Sequence, residues 1–166
     1  MTQLILILDD LRSTANVGSI LRSADSFAVE LVYACGSTPY PRLVKDERDP
    51  VVINRNSRAI ARAALGAEQT VRVEHIDSSI AAIEACRQNG WTIIGLEQDA
   101  NATPMHQFKP PQKTALVVGA EVTGLSQATK MACDQLVEIA QFGSKESLNV
   151  AVATGIALYR LRSESV

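Results

Sequence analysis

Short apolar runs alternate with helically spaced stretches along the whole chain, and each run ends in a polar or glycine-bearing turn. Residues 4–8 (LILIL) stop at Asp9-Asp10. A continuous apolar run of this length reads as a strand buried on both faces, as in parallel sheets. Residues 31–35, 91–96, 115–118 and 136–139 also read as strands, and residues 71–75 are strand-like. Helical spacing starts at Val17 and continues through Ile20, Leu21, Ala24 and Phe27 or Ala28, with Asn16 in the N-cap position. Further helices are expected over 58–65, stopped by Gly66, and over 78–88, capped by Asp77 and ended by Asn89-Gly90. Two more are expected over 126–133 and from about 146 to 162, the last with Leu148, Val152, Ile156 and Tyr159 on one stripe. Residues 39–57 hold three prolines and a mixed charge run, and read as a long binding loop or lid with room for a short helical turn. Met105 to Phe108 read as a further short helical turn. Strands alternating with helices imply an α/β fold, a mainly parallel sheet with helices on both faces.

Composition narrows the class. A chain of 166 residues, 46% hydrophobic and 20% charged, is expected to form a single domain with a real core. No apolar run approaches the roughly 20 residues of a membrane span. The opening MTQLILILDD lacks the basic region and cleavage site of a signal peptide. Three widely spaced cysteines make neither a disulfide framework nor a metal-ligand pattern, which points to a reducing cytoplasm and no metal. The net charge of −2 means that any nucleic-acid contact must come from a local patch.

Many chemistries find no residues to carry them. No G-x-G-x-x-G follows a strand, no P-loop spacing is present, and there is no HExxH or nucleophile elbow. His75 and His106 stand outside any recognisable constellation. What remains has three parts. Asn16-Val-Gly-Ser-Ile-Leu-Arg22 offers an amide that donates and accepts, and a guanidinium that can fork onto a phosphate. The same residues also fit a helix cap followed by a solvated arginine. Gly119-Ala-Glu121-Val-Thr-Gly124 puts a glycine where a ligand can approach the backbone, or forms a simple turn with a surface carboxylate. Ser147-Leu148-Asn149 enters the last helix, where Ser147 caps it or the free N–H groups face a ligand carboxylate.

In this order the three parts resemble the N-x-G-x-I-x-R, G-x-E-x-x-G-L and S-L-N-V motifs of the SpoU (TrmH-like) branch of the SPOUT RNA methyltransferases. The resemblance covers residues 6–160, nearly the whole chain. It implies an α/β sheet whose C-terminal part is threaded into a deep trefoil knot, a homodimer, and methyl transfer from S-adenosylmethionine to a ribose 2′-hydroxyl of tRNA or rRNA. It further implies a cofactor site built from Leu96, Glu97, Gly119, Ile139, Gly143 and Leu148, and catalytic and substrate roles for Asn16, Arg22, Glu121, Ser147 and Asn149. The chain departs from the family in having Ala140 where a proline usually follows the isoleucine. The expected organisation is one catalytic domain over 1–166 without an accessory RNA-binding domain. RNA contacts then fall to Arg12, Arg42, Lys45, Arg48, Arg55 and Arg58 around the proline-rich loop. A non-catalytic RNA-binding homolog of the same fold is the competing reading. A nucleotide-binding oxidoreductase is a third, without its glycine fingerprint.

Overall fold

The computed structural model describes residues 2–163. Seven parallel strands form one sheet: β1 (Gln3–Asp9), β2 (Leu31–Cys35), β3 (Val73–Ile76), β4 (Thr92–Leu96), β5 (Thr103–Pro104), β6 (Lys113–Val118) and β7 (Gln135–Glu138). Their order across the sheet is β3-β2-β1-β6-β4-β7-β5. The helices are α1 (Thr14–Ser26), α2 (Pro50–Ala64), α3 (Ala67–Thr70), α4 (Ser79–Gln88), α5 (Gln127–Ala132) and α6 (Val150–Ser163).

The LILIL run is explained by what it separates. Leu4, Leu6 and Leu8 join a core that includes residues of α1, α2 and α6, whereas Ile5 and Ile7 join a second core with α4. Side chains alternate across a strand, so only a run that is apolar throughout can serve two cores. β6 repeats the arrangement, with Leu116 and Val118 on one face and Ala115 and Val117 on the other. It comes after β4 in the chain yet lies between β1 and β4, in register with both. The carboxyl ends of β6, β4 and β7 therefore lie side by side, from the middle of the sheet towards its β5 edge.

Several boundaries differ from the pattern reading. The proline-rich segment is not loop to residue 57: α2 starts at Pro50, whose fixed φ suits a first helical position, and the Asp49 carboxylate accepts from the Val51 N–H. Ser13, not Asn16, caps α1 by accepting from the Asn16 N–H at 3.2 Å, and Ser78, not Asp77, caps α4. The last helix begins at Val150 rather than near Glu146. Its expected stripe points outward: Leu148, Val152, Ile156 and Tyr159 are 39–63% exposed, while Thr154, Ala157, Leu158 and Leu161 are buried. The two-residue β5 and one-turn α3 are too short for periodicity to reveal.

Gly18, the glycine of the first motif, is a packing residue. A Cβ there would stand 2.4 Å from the Ile60 carbonyl oxygen and 2.9 Å from the Ala63 Cβ. The α1–α2 contact thus leaves no room for a methyl, and a backbone carbonyl cannot swing aside as a side-chain tip can. Gly18→Ala is expected to destabilise the fold by about 1–3 kcal/mol, the usual cost of overpacking. Urea unfolding measures this, and an unchanged midpoint would refute the tight contact.

Candidate functional site

The loops after β4, β6 and β7, with the segment entering α6, enclose an open cleft of about 390 Å³. Sites for small ligands commonly span roughly 300–1,000 Å³, and in open parallel sheets they lie beyond the strands' carboxyl ends. Leu96, Glu97, Gly119, Ile139 and Leu148 all line it, as do Glu121 and Ser147. Gly143 does not; it sits exposed in the preceding loop, with nothing within 4 Å of where its Cβ would stand. Gln98, Gln141 and Glu146 also line the cleft. Their only signal in the sequence was closeness to a strand end or a motif.

The wall formed by residues 119–125 is tightly drawn. Gly124 has φ +63° and donates its N–H to the Ala120 carbonyl at 2.9 Å. A Cβ on Gly119 would lie 2.3 Å from the Gly124 carbonyl carbon, so the turn closes on itself only with glycine there. From outside, Glu97 holds the turn: its Oε2 accepts from the Leu125 N–H at 2.7 Å. The Glu97 carboxylate therefore fixes the wall rather than waiting for a ligand.

One hydrogen-bonded chain joins the three motifs. Glu121 Oε1 accepts from the Asn16 side-chain amide at 2.9 Å and from the Ser13 N–H at 3.1 Å, and Oε2 from the Arg12 N–H at 3.2 Å. Glu121 thereby satisfies donors at the start of α1, where free N–H groups favour a negative charge. Asn16 Oδ1 in turn accepts from the Asn149 amide at 3.1 Å. Asn149 Oδ1 accepts from the Ala151 N–H at 2.9 Å and so caps α6, one of the two roles that the sequence left open for Ser147. Burial alone would raise the Glu121 carboxyl, but the bonds from Asn16, its own backbone, Arg12 and Ser13 prevail and hold it below the usual glutamate value.

Not every expected residue meets at the cleft. Asn16 and Asn149 do not line it but brace it through Glu121. Arg22 lies exposed on α1, about 9 Å along the axis from Asn16 by helix rise, and does not line the cleft of its own chain. Arg48 is committed elsewhere. It stacks over Tyr40 at 3.5 Å, forks onto Asp46, and donates to the Tyr40 and Pro41 carbonyls, which removes it from the RNA-contact candidates. Burial pushes the thiols of Cys35 and Cys133 up to about 12 and that of Cys86 up to about 11, so none is a nucleophile near neutral pH. Among the described residues no His, Cys, Asp and Glu cluster could hold a metal ion, and no helix is long and apolar enough to cross a membrane.

Comparison with known proteins agrees with this geometry. The chain is 34% identical over 155 residues to the 23S rRNA (guanosine-2′-O-)-methyltransferase RlmB of Salmonella typhi, covering 93% of this chain and 58% of that protein. RlmB of Bordetella pertussis is 33% identical over 156 residues, covering 94% and 58%. The chain thus spans somewhat under three fifths of the length of these relatives. Among solved structures, the SpoU methyltransferase AviRb from Streptomyces viridochromogenes, in complex with the cofactor AdoMet, superposes with a TM-score of 0.74 at 26% identity, covering 99% of this chain and 60% of that one. The TrmH/SpoU tRNA modifying enzyme of A. aeolicus gives a TM-score of 0.76 at 25% identity, covering 99% and 76%. The model of the SpoU rRNA Methylase family matches residues 3–159, a span that contains all three motifs braced around the cleft, and the chain belongs to that family.

Proposed function

We propose that this chain transfers a methyl group from S-adenosylmethionine to a ribose 2′-hydroxyl of tRNA or rRNA, acting as a cytoplasmic homodimer. One observation carries the reading. Segments more than 100 residues apart are tied by the Glu121–Asn16–Asn149 chain of hydrogen bonds beside a ligand-sized cleft. The activities named for the relatives, and the AdoMet complex of the AviRb neighbour, support it. The insertion of β6 between β1 and β4 supports the trefoil threading that the resemblance implies.

S-adenosylmethionine fits the donor set of the cleft. Leu96, Ile139 and Leu148 offer apolar walls for the adenine, and strand-end backbone offers groups for its edge. The carboxylates of Glu121 and Glu146 line the same space and favour a cationic ligand. When bound, the group supplies an electrophilic methyl on a sulfonium. The protein's task is then to place a 2′-hydroxyl and ease its deprotonation. An arginine stays protonated, so Arg22 does not act as the base. Its part is to clamp the adjacent phosphate and stabilise developing alkoxide charge. Asn16 and Asn149 hold α1 and α6 in one arrangement, which keeps the groups that those helices carry in place for the reaction.

The dimer reading explains two observations at once. The outward stripe Val152, Ile156 and Tyr159 is an apolar surface of the kind that partners cover. Alongside it runs α1, close enough that Ser23 Oγ lies 3.5 Å from a Cβ placed on Gly155 of α6. Arg22 neighbours Ser23 and is exposed, and we place it at the seam, where it serves the cleft of the partner. Ile156→Glu is expected to convert the dimer to monomers in sedimentation runs and to abolish methyl transfer. A fully dimeric variant would refute the interface. Calorimetry with S-adenosylmethionine tests the site itself: no binding would remove the enzyme reading.

A further inference from the structure

A second concavity, of about 740 Å³, opens between the β1–α1 turn, the segment after β2 and α2. Arg12, Thr14, Arg55, Asn56 and His75 line it, and none of its lining residues is acidic. Its back wall is a stack of three side chains. Arg48 lies over Tyr40 at 3.5 Å, and Tyr40 lies on His75 with ring centroids 4.5 Å apart and planes 16° apart. Both faces of Tyr40 are therefore taken, which leaves no free platform there for a stacked base. What the cleft does offer is hydrogen-bond donors. Among the described residues, the guanidinium groups of Arg12 and Arg55, the Thr14 hydroxyl and the Asn56 amide have no bonding partner. His75 Nδ1 donates to the Ala34 carbonyl at 2.8 Å, leaving Nε2 as the polar atom of the ring still open to a ligand.

The cleft is joined to the proposed methyl-transfer site through one residue. The Arg12 backbone N–H is bonded to Glu121, which lines the first cleft, while Arg12 itself lines the second. From there the positive charge continues along α2, where Arg55, Arg58 and Arg62 share a shallow groove. These spacings of three and four residues put one face of the helix in line.

We propose that this second cleft seats a phosphodiester of the RNA strand next to the methylated ribose, with the α2 arginines guiding the backbone beyond it. The inference rests on the methyltransferase reading, which it extends to how the strand is held. Arg12 and Arg55 supply the charge, and Asn56 and Thr14 supply hydrogen bonds to non-bridging oxygens. The contact is to backbone, so it sets register and orientation and reads no base. It also explains how a chain of net charge −2 can hold RNA: the charges are sorted by place. The three carboxylates Asp9, Asp10 and Asp77 line the neighbouring pocket, where Asp10 accepts from the Ser37 N–H and hydroxyl.

The test is binding of a short, mixed-sequence, single-stranded RNA, followed by fluorescence anisotropy across a salt series. Arg55→Gln is expected to weaken RNA binding several-fold and to lower the slope of log K against log salt by about 0.7, the value of one single-strand phosphate contact. Asn56→Ala is expected to weaken binding with the slope unchanged. Arg87→Gln, on α4 of the opposite sheet face, removes a charge and is expected to leave both affinity and slope as they were. Calorimetry with S-adenosylmethionine is expected to give wild-type affinity in all three variants. Wild-type RNA affinity and slope in both Arg55→Gln and Asn56→Ala would overturn the proposal, as would an equal loss in Arg87→Gln. Equal affinity for anionic phospholipid vesicles and RNA would overturn it too. Wild-type protein that holds RNA but not S-adenosylmethionine would instead remove the enzyme reading and leave the cleft to the variant comparison.

Discussion

Replacing Arg22 by alanine is expected to lower methyl-transfer turnover by roughly 100-fold or more, the scale seen when a donor to developing oxyanion charge is removed. S-adenosylmethionine affinity is expected to stay at the wild-type level, because the part proposed for Arg22 is to hold the RNA phosphate and not the cofactor. Stability is also expected to hold, since the side chain is exposed. The combination matters more than the activity loss alone. A residue that acted by shaping the cleft would change cofactor affinity, and a folding residue would change the unfolding midpoint. Arg22→Lys separates charge from geometry: a point charge cannot reproduce the fork of a guanidinium on a phosphate, so recovery is expected to be small. Single-turnover kinetics with saturating cofactor would show these differences directly. Near-normal turnover in Arg22→Ala would end the assignment.

Glu121→Ala is expected to damage both stability and activity. The carboxylate accepts from two backbone N–H groups and the Asn16 amide, and hydrogen bonds to a charged group contribute more than neutral ones. Arg12 is exposed, so water replaces part of what is lost. A destabilisation of about 2–3 kcal/mol follows from these donors together. Activity is expected to fall further than stability alone accounts for, because Asn16 loses the partner that aims it at Asn149. Asn16→Ala is then expected to add little in the Glu121→Ala background, the non-additivity of one connected network.

The same carboxylate gives a pH dependence with a definite sign. Its folded-state pKa lies below the ordinary glutamate value, so the folded protein holds this proton less readily than the unfolded chain. The stability it contributes is fully present above about 4.3, the unfolded value, and is lost as pH falls through the lower folded value. Urea unfolding at a series of pH values is expected to show the gap between wild type and Glu121→Gln narrowing below that point. A gap that widens on acidification would contradict the network as described.

Much of this architecture was legible because two-sided burial leaves a plain mark. LILIL and ALVV are apolar without alternation, and only central strands of a parallel sheet require that. The cleft residues Leu96 and Ile139 came from the family resemblance, and Gly119 also from its place at a strand end, where a ligand can approach the backbone. The start of α2 was not legible, because Pro50 and the charge run before it look like loop chemistry until Asp49 is seen capping the helix. The stripe on α6 was found but faced the other way. A helix that is buried on one side and apolar on the other has two candidate stripes, and periodicity cannot rank them. The capping roles of Ser13 and Asn149 were hidden by their neighbours, as Asn16 and Ser147 are equally good capping residues. The chain Glu121–Asn16–Asn149 lay beyond any local pattern. It depends on the sheet bringing residues 16, 121 and 149 to one edge.

The activity proposed for this chain is methylation of ribose in RNA. A ribose-methylation map of tRNA and rRNA, taken from cells with and without the protein, tests it most directly. At least one 2′-O-methyl position is expected to be lost without the protein, restored by the wild-type chain and not restored by Arg22→Ala. Identical maps in both RNA classes would contradict it.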